Sequence, residues 1–377
     1  MSDGQPLAGL RVLDFSQNLP GPYASFILAS LGAEVIKVEP PRGDPGRHIG
    51  PFFDLVNRGK KSVVLDLRDP SNAAALEALV ISSDILLEGF RPGVMARLGC
   101  DAETARRWKP SLVYCSISAF GQSGPRRGEA GHDLNLQALT GVCHLERDPS
   151  GAPRGSVLPV ADLSSSLVAV AAICAAVAKG DGATLDVAMA DAALSWAHVW
   201  GHGIDLGAPV RQAQSRGGGR GLLAGLLGRT WLAGLDREKL YSMPHYGVYR
   251  CRGGQYLALG IVDEAHFWRA LCDVVGLRFC ASMSLPMRVA AGPILRRILS
   301  LRFRTRTRDA WMEALVAADV PASPCLTPEE AVSEDQFQAR DLYGARGQVR
   351  APLPGARHLD GEAPALGEHT AEVLGAL

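Results

Sequence analysis

An α/β fold follows from three observations on the sequence. Strand-like and helix-like segments alternate from residue 9 onward. The strand-like runs are separated by helical stretches, which requires crossover connections and hence a mainly parallel sheet of Rossmann-like type. The composition shifts after residue 200, and 377 residues exceed one ordinary compact domain, so a second domain or a substantial insertion is expected.

Taken in order, residues 9–15 are β-like and residues 21–31 helix-like, with proline near the first turn. A second strand is expected at 34–39, followed by a Pro/Gly/Arg loop through Asn57-Arg58-Gly59-Lys60-Lys61 and a third strand over 62–67. A helix beginning near Pro70 leads to a fourth strand at 84–88. Residues 112–120 form another strand that stops at glycine and proline, so the loop after it leaves the end of a buried strand, where α/β proteins place their sites. His132 and Asp133 then open a helical segment. An imidazole there is a proton carrier with an unperturbed pKa of about 6.5, or equally a helix cap. Asp162 precedes an apolar helix over 163–178 rich in small residues, so its carboxylate is either a helix cap or a reactive group near a helix N-terminus. Residues 184–189 read as a further strand.

Residues 203–228, rich in glycine and arginine, read as a linker or a mobile active-site loop; without a following GK[ST] they are a weak phosphate cradle. Residues 246–250 and 255–259, joined across Gly253-Gly254, predict a β-hairpin, and a helix is expected over 264–273. Six arginines from Arg296 to Arg308 predict a solvated face or subunit contact. The chain closes on a short amphipathic helix after residue 364.

Several function classes are set aside. Basic and acidic residues balance at 39 each, which gives no reason to expect nucleic acid or a membrane surface as partner. The eight cysteines include no CxxC pair, which argues against a zinc site, so no metal is expected, and several lie in apolar runs that suit reduced thiols in a cytoplasmic setting. The N-terminus has no basic region followed by an apolar stretch, so no signal peptide is expected. The apolar run 167–178 is short for a bilayer span and predicts a buried helix. The first strand-to-helix turn, Ser16 to Pro22, lacks GxGxxG, which removes an NAD enzyme.

Taken together, a set of phrases resembles the family III CoA-transferase superfamily, and within it the α-methylacyl-CoA racemase branch. They are Leu13-Asp14-Phe15 with Pro20-Gly21-Pro22, the run 31–39, Asn57-Arg58-Gly59-Lys60, Leu65-Asp66-Leu67, the run 88–93, the run 121–125, Gly131-His132-Asp133, Ala161-Asp162-Leu163, the region 246–267 and the run 364–370. The resemblance implies an interlaced homodimer. Each subunit would have a large Rossmann-like CoA-binding domain (1–205), a linker and small α+β domain (206–325), and a C-terminal segment (326–377) returning to the large domain. The active sites would lie between the large domain of one subunit and the small domain of the other. The implied ligand is a CoA thioester as substrate, with no tightly bound cofactor. Leu65, Arg68, Gly89, Phe90, Arg91 and Arg97 match the CoA path, and permanently charged guanidinium forks suit phosphates. Pro40 stands where some members carry arginine, with Arg42 and Arg47 nearby. Lys179-Gly180-Asp181-Gly182 replaces the usual Arg-Thr-Gly-x-Gly phrase.

In the racemase pattern His132 and Asp162 are the two acid/base groups and Glu264 a further acid, with Asp263 competing for that role. The function implied is epimerisation of 2-methyl-branched acyl-CoA thioesters through an enolate, with backbone amides at the glycine-rich loop or at the turn near Asp162 stabilising its oxygen. Two alternatives are CoA transfer between carboxylic acids, with Asp162 as nucleophile, and a non-catalytic CoA-ester-binding homologue.

Overall fold

A computed structural model describes residues 4–148, 150–203, 243–344 and 348–377. The chain divides into two compact units, one of residues 1–197 with 335–377 and the other of residues 198–334. The 203–228 stretch lies almost wholly outside the described residues.

The first unit is built on six parallel strands, β1 (Arg11–Asp14), β2 (Glu34–Glu39), β3 (Lys61–Val64), β4 (Ile85–Glu88), β5 (Val113–Ser118) and β6 (Ala183–Ala188), in the order β3-β2-β1-β4-β5-β6. Side chains alternate across each strand, and both faces are apolar because both are covered. Val12, Val35, Ile85 and Val113 pack beneath α1 (Pro20–Ser30) and α8 (Val160–Lys179). Leu13, Ile36, Leu86 and Tyr114 face α3 (Ala73–Ile81) and α5 (Ala102–Trp108). Chain order reverses between β1 and β4, so the turns leaving these strands diverge at the carboxyl edge. Such a crevice is where open α/β sheets bind ligands.

Four further short helices precede α8 in this unit. α2 (Pro51–Asn57) packs on α1, α4 (Val94–Arg97) follows the β4 turn, and α6 (Asp133–Leu139) and α7 (Val142–Leu145) follow β5. α9 (Met189–Gly203) continues from β6. The C-terminal segment is tied to β3, where the Val64 amide donates to Thr370 Oγ1 at 3.0 Å and the His369 amide donates to the Ser62 carbonyl at 2.9 Å.

Three expectations change. α8 begins at Val160, so Asp162 lies in its first turn rather than before it. α8 is also longer than the apolar run, and at 20 residues it is long and apolar enough to cross a membrane by length and composition. It packs one face against α1 and β5 and leaves Leu167 and Val168 exposed, so it is a half-buried helix. The 296–308 arginines are only partly a solvated face. Arg302 Nε donates to the Val275 carbonyl at 2.6 Å, Arg306 stacks on Trp311, and Arg308 is buried against Glu330, their stems packing while their heads find acceptors.

The second unit carries an antiparallel sheet of β7 (Tyr246–Arg250), β8 (Tyr256–Gly260) and β9 (Ala322–Cys325). The expected hairpin is present, its turn closed by Gly253 and Gly254 at φ of 89° and 92°. Helices Ala265–Val275, Gly292–Phe303 and Arg308–Ala317 enclose Trp268, Phe303 and Trp311, and the two indole N–H groups donate to the carbonyls of Cys280 and Phe303, each at 2.8 Å.

Candidate active site

The segments leaving the carboxyl ends of β1, β4, β5 and β6 line a cavity of about 340 Å³. Its wall includes Gln17, Gly89, Phe90, Arg91, His132 and Asp162. His132 is exposed and occupies the N-cap position of α6, its backbone N–H donating to Asn135 Oδ1 at 3.0 Å. Gly131 lets the chain approach the segment that leaves β5, since a Cβ there would lie 3.1 Å from Ala119 Cβ and 3.2 Å from the Phe120 ring.

Asp162 reaches the same cavity from the first turn of α8, but it does not cap the helix. Asp133 Oδ1 accepts from the backbone N–H groups of Ala161 at 2.7 Å and Asp162 at 3.2 Å, and its other oxygen is bonded by the Gln137 amide. No hydrogen bond to the Asp162 carboxylate is found among the described residues. Burial pushes the Asp162 carboxyl up to about 7, and the charge of Asp133 adds to the effect. The carboxyl is therefore poised to give or take a proton near neutral pH. Of the two expected sources of oxyanion donors, the glycine-rich loop and the turn near Asp162, the latter has its Ala161 and Asp162 amides already bonded to Asp133.

A second cavity of about 580 Å³ shares Gln17 and Phe90 with the first and lies beyond β1, β2 and β3. Leu65, Arg68, Phe90 and Arg97 line it, whereas Gly89 and Arg91 line the first cavity. Pro40 and Arg42 also line the second cavity. Arg47 is committed elsewhere, donating to the two oxygens of Glu39 at 2.7 and 2.6 Å and to the Pro364 carbonyl at 3.0 Å.

Glu264 lies in the second unit at the N-cap of helix Ala265–Val275, and its Oε2 accepts from the Val262 amide at 2.9 Å rather than from the helix. Asp263 is exposed, with Oδ1 3.5 Å from Arg288 Nη2. The altered turn before β6 is sterically tight. Gly182 has φ 66°, and a Cβ there would lie 2.5 Å from the Pro110 carbonyl oxygen.

Gln17, Asn18 and Glu88 were not singled out from the sequence. Gln17 touches both cavities, and Asn18, in the turn after β1, has φ 63°, a left-handed conformation uncommon for non-glycine residues. Glu88 is buried behind the Gly89-Phe90 turn and accepts from the Phe90 amide at 2.7 Å; burial pushes it up to about 7.

The model of the CoA-transferase family III matches residues 7–370. The chain belongs to that family. It is 30% identical to the succinate–glutarate CoA-transferase of Agrobacterium fabrum, covering 99% of this chain and 96% of that one. It is also 30% identical to the human alpha-methylacyl-CoA racemase, covering 98% and 92% respectively. Among solved structures, a CAIB/BAIF family protein from Brucella suis superposes with a TM-score of 0.79 at 27% identity, covering 99% of each chain. This family membership thus includes relatives of both chemistries, CoA transfer and racemisation.

Proposed function

We propose that the protein is a racemase or epimerase of 2-methyl-branched acyl-CoA thioesters. The observation that carries this reading is the pairing in one cavity of His132 with an Asp162 carboxyl that has no hydrogen-bond partner among the described residues and is poised near neutrality. The CoA portion lies along the second cavity, with Leu65 and Phe90 against the adenine and Arg68 and Arg97 on the phosphates. Arg42 supplies the contact that Pro40 cannot. Gly89 and Arg91 border the path where the thioester enters the first cavity past Gln17. In this reading the first unit is a Rossmann-like CoA-binding domain in an interlaced homodimer, and Glu264 of the second unit is a further acidic group.

The thioester carbonyl accepts the charge released when the α-proton is removed, giving an enolate. One of His132 and Asp162 removes the proton and the other returns one to the opposite face, which inverts the centre. The test is incubation with each epimer of 2-methylbutanoyl-CoA in deuterium oxide. Deuterium at the α-carbon together with epimer interconversion is expected, and no exchange with a range of branched acyl-CoAs rejects the reading.

CoA transfer between carboxylic acids is the second reading, favoured by the same free Asp162 carboxylate and by the transferases among the relatives. A nucleophile needs an unencumbered oxygen. Mass spectrometry after treatment with acyl-CoA and hydroxylamine distinguishes the two, since transfer requires modified Asp162 and an unmodified residue counts against it.

A further inference from the structure

The turn between β1 and α1 reaches both cavities through Gln17, and its backbone rests on a buried ion pair. Lys37, on β2, has no exposed surface, and Asp44 is 1% exposed; Lys37 Nζ and Asp44 Oδ2 are 2.8 Å apart. Lys37 Nζ donates to the Ser16 carbonyl at 2.9 Å, and the Asn18 N–H donates to Asp44 Oδ1 at 3.2 Å. The two ends of one ion pair therefore grip the backbone on either side of Gln17. Beneath the turn, Asp14 Oδ1 accepts from the Ser16 N–H at 2.9 Å, and Lys60 sits 3.2 Å from Asp14 Oδ2.

This arrangement is an expensive way to hold a loop. Two buried charges lose most of their hydration, and an apolar pair of similar volume is often at least as stabilising. Asn18 also has φ 63°, a left-handed conformation that asparagine adopts more readily than most residues and that the Asp44 contact holds here. A fixed turn, rather than added stability, is what the pair supplies.

We propose that Lys37 and Asp44 are positioning residues that clamp Ser16 and Asn18 so that Gln17 is presented at the junction of the two cavities. The proposal rests on the reading of those cavities as the acyl-CoA site. It applies to either chemistry, because the turn borders both the thioester end and the nucleotide end.

The test compares Lys37→Met, Asp44→Asn and the charge-free double variant Lys37→Met/Asp44→Leu with Val80→Ala, a core truncation on the opposite face of the sheet. The readouts are α-proton exchange with 2-methylbutanoyl-CoA in deuterium oxide and calorimetric binding of CoA. Displacement of a positioning turn predicts that kcat falls by about tenfold or more while KM stays within about threefold. The double variant is expected to fold and to show the same loss. Val80→Ala should lose stability and keep kcat. A double variant with kcat within about twofold of wild type, or an equal loss in Val80→Ala, overturns the clamp.

Asp162→Asn separates the two failures. If it retains full exchange of both epimers, the site reading fails, whereas an Asp162→Asn that has lost exchange of one epimer beside a normal double variant rejects only the clamp. Hydrogen exchange on the wild-type protein decides the geometry even where a variant does not fold or the wild type turns over none of the probe. The Asn18 amide should be strongly protected, and rapid exchange there overturns the proposal.

Discussion

Asp133 Oδ1 accepts hydrogen bonds from the backbone amides of both Ala161 and Asp162, so the acidic residue beside His132 caps the helix that carries Asp162. Two amides of the helix N-terminus are thereby satisfied without the Asp162 carboxylate, which has no hydrogen-bond partner among the described residues. One residue links the two candidate proton carriers, since its backbone places His132 and its side chain places Asp162.

Asp133→Ala removes that cap and should lower stability by about 1 kcal/mol, the usual value of a helix cap. Turnover should fall by more than tenfold, on the order of what a misplaced catalytic group costs. Asp133→Asn retains an acceptor oxygen and should keep most of the stability. It also removes a negative charge beside Asp162, so the Asp162 limb of the pH–rate profile should move toward acid. An unmoved limb contradicts the electrostatic coupling.

The raised Asp162 carboxyl also makes a stability prediction. Its folded pKa, about 7, is above the unfolded carboxylate value, so the protonated form is favoured by folding. The stabilising contribution is complete below about pH 4 and is lost as pH rises through about 7. Asp162→Asn should therefore raise the melting temperature at pH 8, by on the order of 2–4 °C for each 1 kcal/mol of penalty relieved, and by little at pH 4. Equal shifts at both pH values contradict this account.

The second cavity predicts a division among the arginines. Arg42→Ala, Arg68→Ala and Arg97→Ala should each weaken CoA binding by about tenfold, the loss of one charge-assisted contact, measured by calorimetry. Arg47→Ala should lower stability instead, because it leaves buried Glu39 without its bidentate partner, and the effect on CoA affinity should be smaller.

Much of the sheet was legible because β1 to β6 are apolar runs interrupted by helical stretches, and β2 was bounded to the residue at 34–39. The start of α8 was not. Pro159 and Val160 carry no capping side chain, and the cap comes from Asp133, a contact of sequence separation 28 that no local pattern encodes. The same limit hid the turn at Gln17, whose geometry depends on Lys37 and Asp44 meeting beneath it. Lys37 lies within the expected second strand, and its complete burial beside Asp44 is visible only in the fold. His132 and Asp162 stood out by their places at the starts of helical segments, each readable as a cap or a reactive group, and the resemblance of motifs gave them the paired roles; the fold brings both to the wall of one cavity. Arg91 matched the CoA path by motif, yet it lines the first cavity, because it leaves β4 three residues after the strand end, on the β5 side of the turn.

The central claim is that His132 and Asp162 act as two proton carriers on opposite faces of the α-carbon. The most direct measurement follows deuterium incorporation into each separate epimer of 2-methylbutanoyl-CoA by His132→Ala and by Asp162→Asn. The account predicts that both variants nearly lose racemisation, that His132→Ala still exchanges the epimer presented to Asp162, and that Asp162→Asn exchanges only the other. Equal loss of exchange for both epimers in both variants would contradict it, as would an Asp162→Asn variant without any turnover beside a His132→Ala variant that is merely slowed, the pattern expected of CoA transfer.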